Sequence, residues 1–357
     1  MGGTLAPALA PAGLDPFMNK ILSLFDPEFV KQLFQAEILP LYPEFSDIER
    51  VEVRPYKKNV WSETYHVVIR FNVYFSRPGI QAEKHHIICT AHSDEPRENA
   101  FQALNYLWSK GFVQAPIGLP RPLFYSDHFR GLFYESLAGE SLLHYIKQAD
   151  KEALRRIITK SAILFAKLHQ LPAGPEADFN PGNARLATVV PGREKTLKEM
   201  HRRYDGRYNQ DFEAVYNRLN AVEEKFFSSS ATRCLIHGDA HSENIIETVS
   251  GGIGMIDFTD MCLADFARDI GSFLQQLDYR IEARMGEPRL SEELRESFLK
   301  TYFDVSSFVW SPDVKERINL YQFWAMFRTA IFLFLKHESD PAEASRLLGL
   351  IKNGLGI

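Results

Sequence analysis

The segment CLIHGDAHSENIIETVSGGIGMIDFTDMCLADFARDIGSFLQQL, at residues 234–277, combines two short apolar runs with acidic and amide side chains. The runs at residues 235–236 and 253–256 have the composition of short buried strands, and Ser250-Gly251-Gly252 between them has that of a tight turn. A turn of this kind brings together the polar residues that flank the two strands. The segment therefore predicts a small buried hairpin that directs polar side chains to one site.

Three oxygen-bearing side chains in this segment have the types and spacing that phosphoryl transfer requires. Asp239 follows the first strand, Asn244 comes five residues later, and Asp257 follows the second strand. A carboxylate can accept the proton of a substrate hydroxyl, and carboxylate and amide oxygens are ligands that Mg²⁺ prefers. We therefore expect Asp239 to activate a hydroxyl group, and Asn244 and Asp257 to bind Mg²⁺.

The order and spacing of these residues resemble those of a known family. His237-Gly238-Asp239-x-x-x-x-Asn244 followed by Ile256-Asp257-Phe258 resembles the aminoglycoside phosphotransferase and choline kinase family, whose fold is similar to that of protein kinases. In that family two further acids follow the metal-binding aspartate by eight and twelve residues, and Asp265 and Asp269 stand at those positions. Four motif elements in register make the resemblance specific.

The resemblance implies a role for each of these residues. Asp239 is expected to be the catalytic base, with Mg²⁺ bound by Asn244 and Asp257 and with ATP or GTP as the co-substrate. His237 is expected to brace the loop by hydrogen bonding, and Asp269 to anchor it through backbone N–H groups. The acceptor is expected to be a small-molecule alcohol, since acceptors in the family include aminoglycosides, choline, homoserine and sugars.

The resemblance also implies a nucleotide site between two lobes, at a hinge near residues 133–137. Phe133, Glu135, Leu137 and Glu98 are the residues expected to bind the nucleotide. Acceptor specificity is expected to come from C-terminal helices that carry no readable code. Four acidic residues would suit a cationic acceptor, although a mildly acidic surface is the ordinary outcome of this composition. They are Asp260, Asp265, Glu282 and Glu287.

Periodicity in the rest of the chain agrees with a two-lobed α+β fold of the protein-kinase-like kind. The predicted elements are a helix at residues 27–39, three antiparallel strands between residues 48 and 89, a helix at residues 98–111 and strands at residues 123–125 and 131–135. Helical spacing follows from residue 142. We expect an N-terminal nucleotide-binding lobe at residues 1–136, with a leading tail and helix, and a helical C-terminal lobe at residues 137–357 that holds the catalytic loop and the acceptor site.

Two departures from the family pattern motivate an alternative function. The turn at residues 57–64 contains no glycine, and the third strand, at residues 85–92, lacks the Lys or Arg that the family uses to bind phosphates. Lys84 or Arg97 would be neighbouring substitutes. The alternative is a catalytically silent nucleotide-binding regulator, a pseudokinase. A metal-dependent phosphohydrolase, with His237, Asp239 and His241 as ligands, is a weaker alternative.

Composition bears on partners and location. The 41 basic and 46 acidic residues give a formal charge of -5, which lacks the positive excess that nucleic-acid binding requires, so we expect no nucleic-acid partner. Three cysteines without a CxxC pair, and no basic residue before Lys20, favour the cytoplasm. The apolar run at residues 320–335, interrupted by Gln322, Arg328 and Thr329, predicts a buried helix and no membrane contact. The sequence does not specify the oligomeric state.

Overall fold

The structure, a computed structural model, describes residues 19–188, 192–229 and 233–357 of the chain. It divides into two compact units: the described residues up to Trp108 with Leu119–Leu137 form one, and Ser109–Gly118 with Ala138–Ile357 form the other. The first unit is an antiparallel sheet with helices and the second is mainly helical, so the predicted α+β class is confirmed. The sequence prediction placed one boundary, between residues 136 and 137, whereas the structure also assigns Ser109–Gly118 to the second unit.

The first unit is built on a five-stranded antiparallel sheet with the strand order β1-β2-β3-β6-β5. Its elements are α1 (Pro27–Glu37), β1 (Asp47–Val60), β2 (Tyr65–Arg77), β3 (Ile80–His92), α2 (Glu98–Ser109), β5 (Arg121–Ser126) and β6 (Gly131–Glu135). Sequential hairpins pair β1 with β2 and β2 with β3. The predicted meander of three strands is therefore confirmed.

Local interactions account for where helix α1 begins and ends. Asp26 accepts a hydrogen bond from the Glu28 N–H at 2.9 Å, and Pro27 occupies the first turn, where no hydrogen-bonded N–H is needed. The predicted end at residue 39 is two residues late, because a 3₁₀ turn at Leu39–Leu41 follows the helix. The apolar face of α1 covers the sheet, with Phe34 packed edge-to-face on Phe71 at 5.1 Å.

The second unit consists of helices around short strands. Its strands are β4 (Ile117–Gly118), β7 (Gly139–Ser141), β8 (Cys234–Ile236), β9 (Ile245–Thr248), β10 (Ile253–Met255) and β11 (Cys262–Ala264). Its helices are α3 (Leu142–Gln148), α4 (Lys151–His169), α5 (Arg193–Tyr204), α6 (Asn209–Ser229), α7 (Phe266–Met285), α8 (Pro288–Val305), α9 (Pro312–Leu335) and α10 (Pro341–Leu355). The strands form two small sheets, β4-β10-β9-β7 and β11-β8. The predicted hairpin of residues 235–236 with residues 253–256 is therefore wrong. The turn at residues 250–252 joins β9 to β10, and β8 pairs with β11 instead.

Helices α7 and α9 cross closely at Gly271. A side chain at this position would overlap the Ile318 carbonyl oxygen and would lie 2.8 Å from the Tyr321 Cβ, so only glycine permits this approach. By length and apolar composition α9 would pass for a membrane span, but 56% of its most apolar window is buried within the fold. The predicted buried helix is therefore confirmed, with Trp324 and Phe327 in the core.

Candidate active site

The loop at residues 237–244 leaves β8 next to the segment that leads into α7. Ile236 of β8 pairs with Cys262 of β11, which holds the start of the loop beside the residues before α7. Gly238 has φ +82°, and a Cβ there would overlap the Asp260 carbonyl oxygen. The loop can therefore make its first turn only with glycine at this position.

Asp269 anchors this loop from the first turn of α7. Its carboxylate accepts hydrogen bonds from the backbone N–H groups of His237 at 2.7 Å and Gly238 at 2.9 Å, and contacts His169 Nε2 at 3.2 Å. Burial alone would raise the pKa of Asp269, but the hydrogen bonds from His169 and Gly238 and the electrostatic interaction with the His169 and His237 rings outweigh it, and the pKa lies below its usual range. These contacts confirm the predicted anchoring role.

His237 braces the same loop against β10. Its Nε2 donates to the Ile256 carbonyl oxygen at 2.9 Å, a bond that assigns the proton to Nε2 because a carbonyl can only accept. Ile256 also donates its N–H to the Asn244 carbonyl oxygen at 3.0 Å. The hairpin thus places Asp257 directly beside the end of the loop, and the predicted bracing role of His237 is confirmed.

The Asp239 carboxylate lies between a histidine and an arginine. Its Oδ2 is 3.4 Å from His241 Nε2 and its Oδ1 is 3.5 Å from Arg328 Nη1. Burial would raise the pKa of Asp239, but the hydrogen bond from His241 and the charge of Arg328 outweigh it, so the pKa lies well below its usual range. The side chain is 32% exposed, so an ionised carboxylate is open to a substrate.

His241 is oriented toward Asp239 by its second ring nitrogen. Its Nδ1 accepts from the Glu243 N–H at 3.2 Å, so in the neutral ring the proton is on Nε2, which faces the Asp239 carboxylate. The Asp239 carboxylate also acts electrostatically on Asp260, which lies on the following loop. Burial and the negative charge of Asp239 raise the pKa of Asp260 to about 6.

Asn244 and Asp257 present oxygen atoms that suit Mg²⁺. The Asn244 side-chain amide donates to the Asp239 carbonyl oxygen at 3.0 Å, and across the described ranges nothing donates to its Oδ1. The exposed Asp257 carboxylate receives one hydrogen bond, from Thr259 Oγ1 at 2.8 Å. One amide and one carboxylate oxygen fit an ion that keeps several water ligands.

The His237, Asp239 and His241 cluster of the phosphohydrolase alternative does not assemble as a metal site. Within the described residues, no group of three His, Cys, Asp or Glu side chains is placed to hold a metal ion. His237 and His241 instead make the loop contacts given above. The observed geometry therefore gives that alternative no support.

The four residues predicted to bind nucleotide belong to the first unit, and two of their side chains have structural partners. The Phe133 ring is buried and stacks on Phe124 at 4.3 Å. The Glu135 carboxylate pairs with His85 Nδ1 at 3.0 Å, a bond that with others keeps its pKa below the usual range. Leu137 is half-buried, and Glu98 is exposed at the start of α2. Their nucleotide contacts stay predictions.

The two candidate substitutes for the missing strand cation differ in burial. Lys84 is exposed, with its Nζ 5.8 Å from the centre of the Tyr74 ring. Arg97 is only 6% exposed, and in the part of the chain that the structure describes its Nε and Nη1 atoms have no hydrogen-bond partner. Its Nη1 also lies 3.6 Å from the Glu95 carboxylate. A buried guanidinium with hydrogen-bonding capacity beyond this ion pair is the stronger candidate for binding an anion.

A cavity of about 440 Å³ adjoins Asp239 within the second unit. Its walls come from the loop and from one face each of α7 and α9, and they include Asp239, His241, Glu243, Ser272, Gln276, Arg280, Arg328, Phe332 and Lys336. Sequence reasoning did not identify Arg328 and Lys336 as site residues. The available signal was the position of Arg328, a charge within the apolar run of α9.

Comparison with known proteins establishes the family. The model of the Phosphotransferase enzyme family, APH, matches residues 83–312, which include the whole loop and the hairpin that follows it. The chain belongs to this family. The phosphotransferase is therefore a kinase of the type that the sequence motifs predicted. A separate search of curated proteins found no match.

Solved structures with similar folds are small-molecule kinases. Ethanolamine kinase from Plasmodium vivax has a TM-score of 0.53 at 17% identity, covering 86% of this chain and 82% of that one. Choline kinase LicA from Streptococcus pneumoniae has a TM-score of 0.53 at 13% identity, with coverages of 92% and 99%. Spectinomycin phosphotransferase APH(9)-Ia, in complex with ADP and spectinomycin, has a TM-score of 0.53 at 11% identity, with coverages of 92% and 94%. The phosphotransferase therefore has the predicted protein-kinase-like fold of these enzymes.

Proposed function

We propose that this phosphotransferase transfers the γ-phosphoryl group of ATP or GTP to a hydroxyl group of a small molecule, in a Mg²⁺-dependent reaction. The observation that carries the proposal is the ionised Asp239 carboxylate, which faces a cavity of about 440 Å³. The Asn244 amide is hydrogen-bonded to the Asp239 backbone, and Ile256, the residue before Asp257, is hydrogen-bonded to the Asn244 backbone. A base, a metal-binding pair and a space for an acceptor are the parts that phosphoryl transfer to an alcohol needs.

In the proposed reaction Asp239 orients the acceptor hydroxyl and receives its proton. The hydroxyl oxygen forms a bond to the γ-phosphorus while the bond from that phosphorus to the β,γ-bridging oxygen breaks, leaving ADP or GDP. The low pKa of Asp239 keeps the carboxylate ionised at neutral pH, so it is ready to accept a hydrogen bond from the acceptor. His241 and Arg328 fix its direction through the contacts at 3.4 and 3.5 Å.

Asn244 and Asp257 are the residues proposed to hold Mg²⁺. When bound, the ion would neutralise negative charge on the phosphate oxygens. The Asn244 amide hydrogen bond to the loop backbone fixes the side chain so that its oxygen stays available. The Thr259 hydroxyl orients the Asp257 carboxylate in the same way.

Nucleotide use is supported by related folds, since similar solved structures include complexes with ADP and with GDP. Phe133, Glu135, Leu137 and Glu98 are the proposed nucleotide-binding residues. The Phe133 ring and the Glu135 carboxylate are engaged in the sheet, and β6 is paired on both sides, with β3 and β5. We therefore propose that these two residues shape the nucleotide site through their position at the end of β6. The compartment is proposed to be the cytoplasm.

The decisive experiment measures transfer of labelled γ-phosphate from Mg-ATP or Mg-GTP to a broad panel of alcohols. Asp239→Asn preserves the shape of the side chain and removes the base, so turnover should fall by roughly 10²- to 10⁴-fold. Asp304→Asn, at an exposed position of α8, is the matched control and should retain full activity. Equal turnover in the two variants would refute the assignment of Asp239 as base.

The pseudokinase is the second candidate, and one observation favours it. The described strand β3 carries a single Lys or Arg, the exposed Lys84, so the usual phosphate-binding cation of the family is absent from the strand. A regulator would bind Mg-ATP and gain thermal stability without turnover of any alcohol in the panel. The Asp239→Asn protein would then behave like the unmodified protein in every assay.

A further inference from the structure

We infer that the acceptor is an anionic alcohol, a molecule with a hydroxyl group at one end and a carboxylate or other compact anion at the other. The inference rests on the proposed function, because it concerns the cavity that Asp239 faces. It goes further by assigning the charge of the acceptor. The charges that line this cavity, and their spacing along α9, indicate the charge of the acceptor.

The cavity walls carry more positive than negative charge. Arg280, Arg328 and Lys336 are the cations, and Asp239 and Glu243 are the carboxylates. Glu243 is paired with Arg280 at 3.2 Å, and Asp239 lies 3.5 Å from Arg328. Lys336 forms no ion pair with any residue in the described ranges, so its ammonium is the cation left for a ligand.

The acids that would favour a cationic acceptor are used elsewhere or lie outside the cavity walls. Asp265 pairs with Arg317 at 2.7 Å, and Glu287 pairs with Lys151 at 2.6 Å. Asp260 contacts the Asn180 amide at 3.3 Å, and neither it nor Glu282 lines the cavity. A positively charged acceptor would therefore meet Arg328 and Lys336, and the carboxylates among the described cavity residues are the proposed base Asp239 and the paired Glu243.

The spacing along α9 sets the shape of the acceptor. Arg328 and Phe332 lie one turn apart on α9, and Lys336, one turn further on, caps the helix and donates its N–H to the Phe332 carbonyl oxygen at 2.7 Å. The rise per residue places Arg328 and Lys336 roughly 12 Å apart along the helix axis. Phe332, between them, is 63% exposed. The cavity thus offers a base and an arginine at one end, an aromatic surface in the middle and an ammonium at the far end.

A ligand that matches this order has its hydroxyl and its anion separated by an apolar spacer of several carbons. On the opposite wall, from α7, Gln276 donates to Thr329 Oγ1 at 3.0 Å, and the charge of Arg280 is paired with Glu243. The α7 wall therefore adds no second unpaired charge. One charged contact, from Lys336 to the distal anion, would therefore decide the choice among acceptors of equal length.

The experiment compares acceptors that differ only in the distal group. ω-Hydroxy carboxylates of graded chain length are assayed against α,ω-diols and ω-amino alcohols of the same lengths, with ω-hydroxyalkyl phosphates as a second anionic series. Binding is measured by calorimetry and phosphoryl transfer from labelled Mg-ATP in parallel. The variants are Lys336→Gln, which removes the charge, Lys336→Glu, which reverses it, and Lys315→Gln, a control at an exposed lysine of the same helix.

The inference predicts preference for an anionic series, with KM for that series raised roughly tenfold in Lys336→Gln, about the effect of one charge-assisted contact. KM for the diols and for ATP should not change, and Lys315→Gln should behave like the unmodified protein. Lys336→Glu should shift the preference toward amino alcohols. If Lys336→Gln raises KM for the hydroxy carboxylates but not for the hydroxyalkyl phosphates, or the reverse, the affected series identifies the anion that the site accepts.

The remaining outcomes separate this inference from the proposed function. Transfer to amino alcohols in preference to both anionic series, unaffected by Lys336→Gln, would overturn the inference and leave the phosphotransferase function standing. Binding of the anionic alcohols that depends on Lys336 but gives no transfer would support the anionic site and overturn the proposed reaction. Failure of both anionic series to bind or react would overturn the inference.

Discussion

At the scale of single residues, Asp257 combines an exposed carboxylate with an unusual backbone conformation. Its φ of 63° lies in the left-handed region, which is unfavourable by roughly 1 kcal/mol for residues other than glycine and is best tolerated by Asp and Asn. The position therefore retains an oxygen ligand at a conformational cost. Asparagine is the substitution that keeps this geometry and removes only the charge.

Asp257→Asn should raise the Mg²⁺ concentration for half-maximal activity by at least about tenfold, because a neutral amide replaces the carboxylate ligand. Its free energy of unfolding should change by less than about 0.5 kcal/mol, since the side chain is exposed. Activity against Mg²⁺ concentration, with urea unfolding alongside, checks both statements. An unchanged Mg²⁺ requirement would contradict the metal-binding role.

Arg97 is the residue at which the departure from the family pattern can be tested. We expect Arg97→Gln to raise KM for ATP by roughly tenfold and Arg97→Lys to raise it less, because lysine keeps the charge but not the planar donor array. Lys84→Gln, at the exposed alternative position, is the comparison. A larger effect at Lys84 than at Arg97 would reverse the assignment.

How much of the site could be predicted depended on sequence separation. Asp239, Asn244 and Asp257 lie close together in the sequence, and the turn at residues 250–252 was predicted. The pairing was not, because β10 pairs with β9, whereas the predicted partner at residues 235–236 lies in β8 and pairs with β11. Arg328 lies 89 residues from Asp239 and reaches it only because α9 packs on α7. Periodicity predicts that a helix is buried, but it does not say which partner lies against each face.

At the scale of elements, the crossing of α7 and α9 determines the cavity. Gly271→Ala should lower the free energy of unfolding by about 1–2 kcal/mol, since the added methyl group overlaps the α9 backbone. The same change should raise KM for the acceptor, because both helices line its cavity. Chemical denaturation and steady-state kinetics measure the two effects.

Gly349→Ala in α10 is the matched control for that substitution. No atom lies within 4 Å of a Cβ at position 349, so the higher helix propensity of alanine should stabilise the protein by about 0.5–1 kcal/mol. Destabilisation of both variants to the same degree would show that the close crossing does not account for the Gly271 result.

Glu247 joins β9, the strand after the loop, to α4. Its carboxylate binds Arg156 Nε at 2.9 Å and Lys160 Nζ at 2.9 Å, and these bonds, the first above all, lower its pKa to about 2. Because the pKa of Glu247 is lower in the folded than in the unfolded state, its interactions with Arg156 and Lys160 stabilise the fold above pH 4.5. This stabilisation is lost as the pH falls toward 2.

Glu247→Gln should therefore reduce the free energy of unfolding at pH 7 by at most about 3 kcal/mol, and by much less near pH 3. Urea unfolding at the two pH values provides the measurement. Glu199→Gln is the control, because the pKa of Glu199 is also lowered to about 2 but its arginine partners lie on an exposed helix surface. A loss independent of pH would point to packing instead of charge.

The order of elements was largely predictable from hydrophobic periodicity, but the use of individual side chains was not. The meander and the strand at Gly131–Glu135 followed from alternation of apolar residues. The same alternation did not show that Phe133 faces the sheet core, because apolar residues in this strand lie on both faces. Side-chain roles in β6 depend on β5 and on α1, which lies in a distant part of the chain and whose Phe34 packs on Phe133 at 5.9 Å.

At the scale of the whole molecule, nucleotide binding should be visible as thermal stabilisation. Mg-ATP at roughly 100 times its Kd adds about 2.7 kcal/mol to folding, which for a chain of 357 residues corresponds to a rise in Tm of about 3–4 °C. Asp239→Asn should show the same shift, because the base does not contribute to nucleotide affinity in the proposed mechanism. Differential scanning calorimetry with Mg-ATP and Mg-GTP tests this and ranks the two nucleotides.

The short strand β4 has a consequence for attempts to divide the protein. It pairs in parallel with β10, Ile117 opposite Ile253, although it precedes the rest of the second unit in the chain by some twenty residues. A truncated fragment starting at Ala138 would leave the backbone donors and acceptors of β10 uncovered next to the proposed magnesium ligand. Unpaired strand edges recruit other chains, so such a fragment would aggregate unless residues 109–118 were grafted back as a tether.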